Sequence, residues 1–280
     1  MNIVRTLRTH RRTTAAVAAA ALALSLAACG NGSGSGGSDD KAKAAGIELV
    51  KSGTLTICTH LSYKPFEFKD GTKVVGFDVD LLTLLADDLG LKVDVLSIEW
   101  AQITSGAAFQ AKKCDIGMGA MTITPERQAA ISISDPYMDA TQVLMVKKDS
   151  GIKGLADLRG KVLGAQSDTT GKTYADKYKD ANGYKVIPFN DISLQENNVK
   201  SGRVAAAIND NGALYNFVKD NPDMEIVAEF DTKEQYGFAA LKDGTGPKII
   251  AKYNELLAKA KTDGKYNEIY KTWFGVEPKK

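Results

Sequence analysis

Along residues 55–275 the apolar positions alternate between two rhythms. Short runs of aliphatic residues at 55–59, 93–96 and 116–118 read as strands. Between the first two, Val79, Leu82, Leu85 and Leu89 recur at helical spacing with Leu81 and Leu84 alongside, and Gly90 supplies a C-terminal stop. A short helix is predicted over 103–111, with Glu99 and Trp100 on the loop before it. The pattern then starts afresh. Strands at 143–146, 162–165, 186–188 and 204–208 alternate with helices at 170–179, 194–200 and 213–219. Such alternation predicts parallel sheets with helices on their faces, and two spells of it predict two α/β units. A last strand at 235–241 leads to two amphipathic helices separated by Gly264. One carries Ile249, Ile250, Tyr253, Leu256, Leu257 and Ala260, the other Tyr266, Ile269, Tyr270, Trp273 and Phe274. These sit at core spacing and need no binding role.

The chemistry concentrates at residues 119–127, where an apolar run gives way to a helix start. Thr124 suits the N-cap and Pro125 the first helical position, so the peptide N–H groups there point outward unpaired and attract anions. Arg127, three residues past the cap, can add a two-pronged contact matching a carboxylate. The plain alternative is a solvated first-turn arginine.

Before the fold, residues 1–28 combine Arg5, Arg8, Arg11 and Arg12 with an Ala/Leu-rich stretch and small residues, the layout of a secretion signal. Leu26-Ala27-Ala28-Cys29 resembles the bacterial lipobox, which implies diacylation of Cys29 and cleavage before it; a soluble secreted protein is the alternative. Residues 29–50 read as a flexible tether, Gly/Ser/Asn-rich at its start, with the fold beginning near 47–53. Removing the leader's four arginines from a formal charge of +2 leaves −2, which gives no long-range attraction to nucleic acid. Cys58 and Cys114 are placed near opposite ends of one parallel sheet, beyond disulfide reach, and are predicted as two separate buried thiols. His60 is the sole histidine past the leader, too few for a zinc site of the usual His/Cys kind.

Several motifs now agree in order and spacing. Gly53-Thr54-Leu55-Thr56, Pro65-Phe66-Glu67-Phe68, Gly76-Phe77-Asp78-Val79-Asp80, the stretch from Met121 to Arg127, Ser134-Asp135-Pro136-Tyr137, Gln235-Tyr236-Gly237 and Trp273-Phe274-Gly275 resemble the polar amino-acid group of bacterial extracellular solute-binding proteins, family 3. The resemblance covers residues 51–275. It implies a two-lobed, type II periplasmic-binding-protein fold of α/β class with two hinge-crossing strands. Lobe 1 would span 51–141 and 236–276, lobe 2 would span 142–235, and ligand would sit in the cleft, beyond the carboxyl ends of the strands.

Carried over residue by residue, the resemblance makes Tyr63 and Trp100 the aromatic faces that clamp the ligand side chain. Arg127, with Thr122 and a lobe-2 helix start at Thr169 and Thr170, would hold the α-carboxylate. Asp210, with a carbonyl near Ala120 and the Thr122 hydroxyl, would hold the α-ammonium. The plain reading of Asp210 is a helix N-cap. His60 and Gln166 stand where glutamine binders carry an acid and a lysine, and Asp168 stands where a glycine is usual. Together with Glu99 and Asn209, His60 and Gln166 offer polar contacts to the ligand's tip. The expected ligand is a polar L-amino acid such as glutamine, with glutamate or a cationic residue as competitors. The expected working form is a monomer without cofactor or metal, lipid-anchored on the outer face of the cell membrane, that closes on ligand and docks on a permease. A sensory subunit and a cyclohexadienyl-dehydratase-like enzyme on the same fold are the alternatives.

Overall fold

The computed structural model describes residues 37–278. The predicted signal, the lipid site at Cys29 and the start of the tether lie outside the described residues. Helix α1 (Gly37–Ala44) stands within the stretch expected to be flexible tether, and Ala42 within it and Ile47 after it are buried, so the packed structure begins earlier than expected.

From there come β1 (Thr54–Thr59), the hairpin β2 (Phe68–Asp70) and β3 (Lys73–Val75), and α2 (Phe77–Leu89). They are followed by β4 (Lys92–Ser97), α3 (Trp100–Thr104), α4 (Ala107–Gln110), β5 (Ile116–Gly117), α5 (Pro125–Ala130) and β6 (Ser132–Ile133). The next group is β7 (Met138–Lys147), β8 (Val162–Gln166), α6 (Thr170–Asn182), β9 (Lys185–Phe189), α7 (Ile192–Lys200), β10 (Ala206–Asp210), α8 (Asn211–Asp220) and β11 (Met224–Tyr236). Last come β12 (Ala239–Ala240), α9 (Gly246–Asp263) and α10 (Lys265–Phe274).

The strands form two five-stranded sheets, β4-β1-β5-β12-β6 and β11-β7-β10-β8-β9. The chain passes from the first sheet to the second after β6 and returns after β11, giving a two-lobed α/β architecture with two crossings. Both sheets are mixed rather than parallel. β12 runs antiparallel to β5 and β6, and β7 antiparallel to β10 and β11. Residues 224–234 lay outside the expected strands because β11 is half exposed, alternates charged with apolar positions and is interrupted by two register shifts.

Phe66, Phe77, Tyr137, Tyr236, Phe238 and Tyr253 are fully buried in one aromatic core under α9 and α10. Tyr137 stacks on Phe238 at 4.6 Å, and Phe66 meets Tyr236 edge-on at 5.5 Å. These contacts tie the start of β7 and the end of β11 to lobe 1.

Two expectations are corrected here. Trp100 opens a helix rather than lying on a loop, and the single helix expected over 103–111 is broken into α3 and α4 by Gly106 in the left-handed conformation. Cys58 and Cys114 form a disulfide, their Cα atoms 5.7 Å apart. Cys58 pairs in register with Gly117, so an extended chain would carry Cys114 about 10 Å away along the sheet. Instead Cys114 belongs to the connection after α4. That connection turns at Lys112 with φ 51° and curls back over the face that carries Cys58, Ile103 and Phe109.

Candidate functional site

The carboxyl ends of β1, β5, β8 and β10 converge on one cavity of about 30 Å³ between the sheets. His60, Tyr63, Trp100, Ala120, Thr122, Arg127, Gln166, Thr169, Thr170 and Asp210 all line it, whereas Glu99, expected as a polar contact to the ligand's tip, is exposed just before α3 and does not. Asn209, named as a polar contact, lines it too. Glu67 and Gly119 were not singled out.

Arg127 sits in the first turn of α5, whose N-cap Thr124 accepts a hydrogen bond from its peptide N–H. Its side chain is buried rather than solvated. Nη1 donates to the Thr122 carbonyl at 2.9 Å and Nη2 to the Asp168 carbonyl at 3.0 Å, and the guanidinium lies 5.5 Å from the Trp100 ring centroid. These contacts fix the plane of the fork while its other N–H donors remain for a ligand. Burial lowers its pKa, opposed by the carboxylates of Asp210 and Glu234.

Asp168 adopts φ 60°, the left-handed conformation that a glycine takes without cost. That conformation turns its carbonyl, not its carboxylate, toward Arg127. Trp100 Nε1 donates to the same oxygen at 3.0 Å, closing a contact between the sheets, while the residue itself is exposed. Gly119, at φ 144°, lets the loop pass the indole: a Cβ there would stand 2.7 Å from Trp100 Cζ3. The same loop is pinned by buried Asp78, which accepts from the Gly119 and Ala120 N–H groups at 3.2 and 2.9 Å and from the Tyr137 hydroxyl at 2.8 Å. Desolvation raises Asp78 to about 7, and those three donors hold it back from rising further.

On the opposite wall, Asp210 is the N-cap of α8 by position but makes no capping hydrogen bond. Its Oδ1 accepts from Gln142 Nε2 at 2.6 Å and its Oδ2 from the Tyr236 hydroxyl at 2.7 Å, so both strands of the crossing hold it. Desolvation, then the neighbouring Glu234 carboxylate, pushes Asp210 up to about 6. Thr169 caps α6, and Thr169 and Thr170 bring the start of that helix to the cavity lining.

At the remaining end, Glu67 is buried and neither carboxylate oxygen meets a hydrogen-bond partner among the described residues. Desolvation, reinforced by Asp78, raises its pKa well above the usual carboxylate range. His60 Nδ1 lies 2.8 Å from the Ile98 carbonyl and therefore carries the hydrogen, which leaves the buried, unpartnered Nε2 as an acceptor in the neutral ring. The signal for Glu67 was the acid itself, set between two phenylalanines in a run that otherwise reads as core.

The model of bacterial extracellular solute-binding proteins, family 3, matches residues 55–276. The chain belongs to this family. It is 32% identical over 227 residues to the arginine-binding extracellular protein ArtP of Bacillus subtilis, covering 80% of this chain and 87% of that one. It is 33% identical over 213 residues to the ABC transporter glutamine-binding protein GlnH of the same organism, covering 74% and 75%. Among solved structures, an ancestral arginine-binding protein bound to arginine superposes with a TM-score of 0.73 at 40% identity, covering 79% of this chain and 98% of that one. The two-lobed architecture is thus that of the amino-acid-binding members of family 3, whose work lies outside the cytoplasm with ABC transporters.

If Asp210 is the ammonium acceptor of this family-3 chain, affinity for an amino acid falls as pH drops through about 6, because the carboxyl, raised in the fold, becomes neutral there. A titration series from pH 8 to pH 5 is expected to show a plateau above pH 7. Below the raised pKa the loss approaches about tenfold per pH unit. A flat profile would show that Asp210 is not the group read.

Proposed function

We propose that this chain is the extracytoplasmic binding subunit of an amino-acid ABC importer, taking a polar L-α-amino acid between its lobes. Lobe 1 comprises residues 51–141 and 236–276 and lobe 2 residues 142–235, and the mature protein is a monomer held to the membrane by a lipid on Cys29. The observation that carries the reading is the placement of Arg127 and Asp210 on opposite walls of one cavity, each buried and each held by hydrogen bonds with both lobes. A zwitterion leaving water needs both charges matched, and this pair supplies one partner for each.

The walls of the cavity belong to different sheets, so ligand enters as the lobes part and is retained as they reclose. The closed arrangement is favoured because ligand then touches both walls, a shift of population that needs no covalent chemistry. A permease that distinguishes open from closed shapes would give uptake its direction.

For the side chain, glutamine is the expected ligand and the geometry adds arginine beside it. Glu67 and His60 Nε2 are both acceptors without donors, which suits a tip made of N–H groups: an amide or a guanidinium, and not a second carboxylate. Arg127 is the only arginine or lysine among the residues lining the cavity, against Glu67 and Asp210. A cationic ligand would draw Glu67, held toward its neutral form by desolvation, back to a carboxylate and gain a charged partner there, which favours arginine over glutamine.

Isothermal titration of refolded protein against the L-amino acids tests this directly. One tight, one-to-one binder among arginine, glutamine or histidine is expected, and a response confined to hydrophobic amino acids would refute the reading. Glu67→Gln is expected to weaken arginine binding by about tenfold while changing glutamine binding little, the loss of one hydrogen bond between charged groups. Equal losses for both ligands would assign Glu67 to the scaffold.

A further inference from the structure

Behind the cavity wall lies a carboxylate that does not itself line it. Glu234, near the end of β11, directs Oε2 at three donors: Gln142 Nε2 of β7 at 2.9 Å, the Thr170 hydroxyl of α6 at 3.1 Å and the Thr122 hydroxyl of lobe 1 at 3.3 Å. The two threonine oxygens stand 3.3 Å from each other, and Gln142 Nε2 also lies 3.3 Å from Thr170 Oγ1. Both crossing strands and both lobes therefore meet at one acceptor.

We propose that Glu234 is a positioning residue that sets the polarity of the two threonine hydroxyls, and so makes the ligand's α-ammonium a condition of tight binding. An ionised carboxylate only accepts hydrogen bonds, so each hydroxyl that contacts it must donate. Thr170 spends its single hydrogen on Glu234. Thr122 likewise donates to Glu234, so its hydrogen too lies behind the cavity, and Thr170 keeps one lone pair beside the one that Gln142 Nε2 takes. What both hydroxyls then show to the cavity is a lone pair. Two such oxygens next to Asp210 form an acceptor set suited to an ammonium, and they offer nothing to a carboxylate. The α-carboxylate is left to Arg127 and the peptide N–H groups of α6. The negative charge of Glu234 adds to that of Asp210 in the same sense, since it acts on both Arg127 and Asp210.

This assignment rests on the amino-acid reading above, and the test separates the two. L-arginine and L-glutamine are titrated into the full chain beside their counterparts lacking only the α-amino group, 5-guanidinopentanoate and 4-carbamoylbutanoate. The preference of the unaltered chain for the amino acid is expected to fall by about tenfold or more in Glu234→Leu, through the amino acid's affinity, with the des-amino partner changing less than about threefold. Glu234→Gln keeps a carbonyl oxygen for the three donors and is expected to restore most of the preference. Glu234→Ala is run beside the leucine variant in case the larger side chain prevents folding. Equal losses for amino acid and des-amino partner would reduce Glu234 to a structural tie and overturn the proposal. Failure of either amino acid to bind the unaltered chain would overturn the amino-acid reading itself, and this inference with it.

Discussion

Arg127→Ala is expected to lower amino-acid affinity by two orders of magnitude or more, and Asp210→Ala by a similar factor. Each substitution strands one charge of a desolvated zwitterion. Leaving one member of a buried ion pair without its partner costs about 3–5 kcal/mol, which at roughly 1.4 kcal/mol per decade is a loss of 100-fold or greater. For arginine the loss extends beyond the charge. The guanidinium ties the Thr122 carbonyl to the Asp168 carbonyl across the cleft and lies against Trp100. The alanine variant is therefore expected to lose affinity mainly through faster dissociation. For aspartate two donors are left behind, Gln142 Nε2, which also reaches Glu234, and the Tyr236 hydroxyl. Titration calorimetry with the tight ligand of the unaltered chain measures both. A variant that still binds within tenfold of the parent would remove that residue from the site.

Removing the disulfide has the second large effect, and it is read in stability rather than binding. Cys58 and Cys114 are 56 residues apart in sequence, and a closed loop of that length restricts the unfolded chain by roughly 4 kcal/mol in the chain-entropy account. Cys58→Ala with Cys114→Ala is expected to lose about that amount in urea unfolding of ligand-free protein, a large fraction of the roughly 5–15 kcal/mol that holds ordinary domains together. Ligand affinity is expected to change little, because the bridge lies on the face of the first sheet packed under α3 and α4 rather than in the cavity. A loss below about 1 kcal/mol would mean that the unfolded chain is already restricted there by residual structure.

The two α/β spells, the helix starts at Thr124 and Thr169 and the ten cavity residues were legible because each rests on a local signal or on a motif whose spacing survives in this chain. What was not legible depends on the path of the chain in space. The disulfide turned on a loop that reverses at Lys112, and a linear count along a strand cannot see that reversal. β11 was hidden because an exposed, bulged strand lacks the apolar alternation that marks a buried one. Glu67 was hidden for the opposite reason: its phenylalanine neighbours announced a core, and only the packed structure shows its two unpartnered oxygens. Asp168, standing where a glycine is usual, takes the left-handed backbone that a glycine would, offering its carbonyl inward while the residue is exposed.

The cavity has a division of labour with an evolutionary consequence. The unpartnered acceptors proposed to read the side-chain tip, His60 and Glu67, follow β1 within lobe 1, whereas Asp210 is wired through Gln142 and Tyr236 into both crossing strands. Changes at the tip end can therefore accumulate without touching the strands that bend. On the proposed reading, a lineage built on this scaffold is free to exchange one cargo for another by a few substitutions after β1, while drift around Asp210 would disturb recognition and both crossing strands at once.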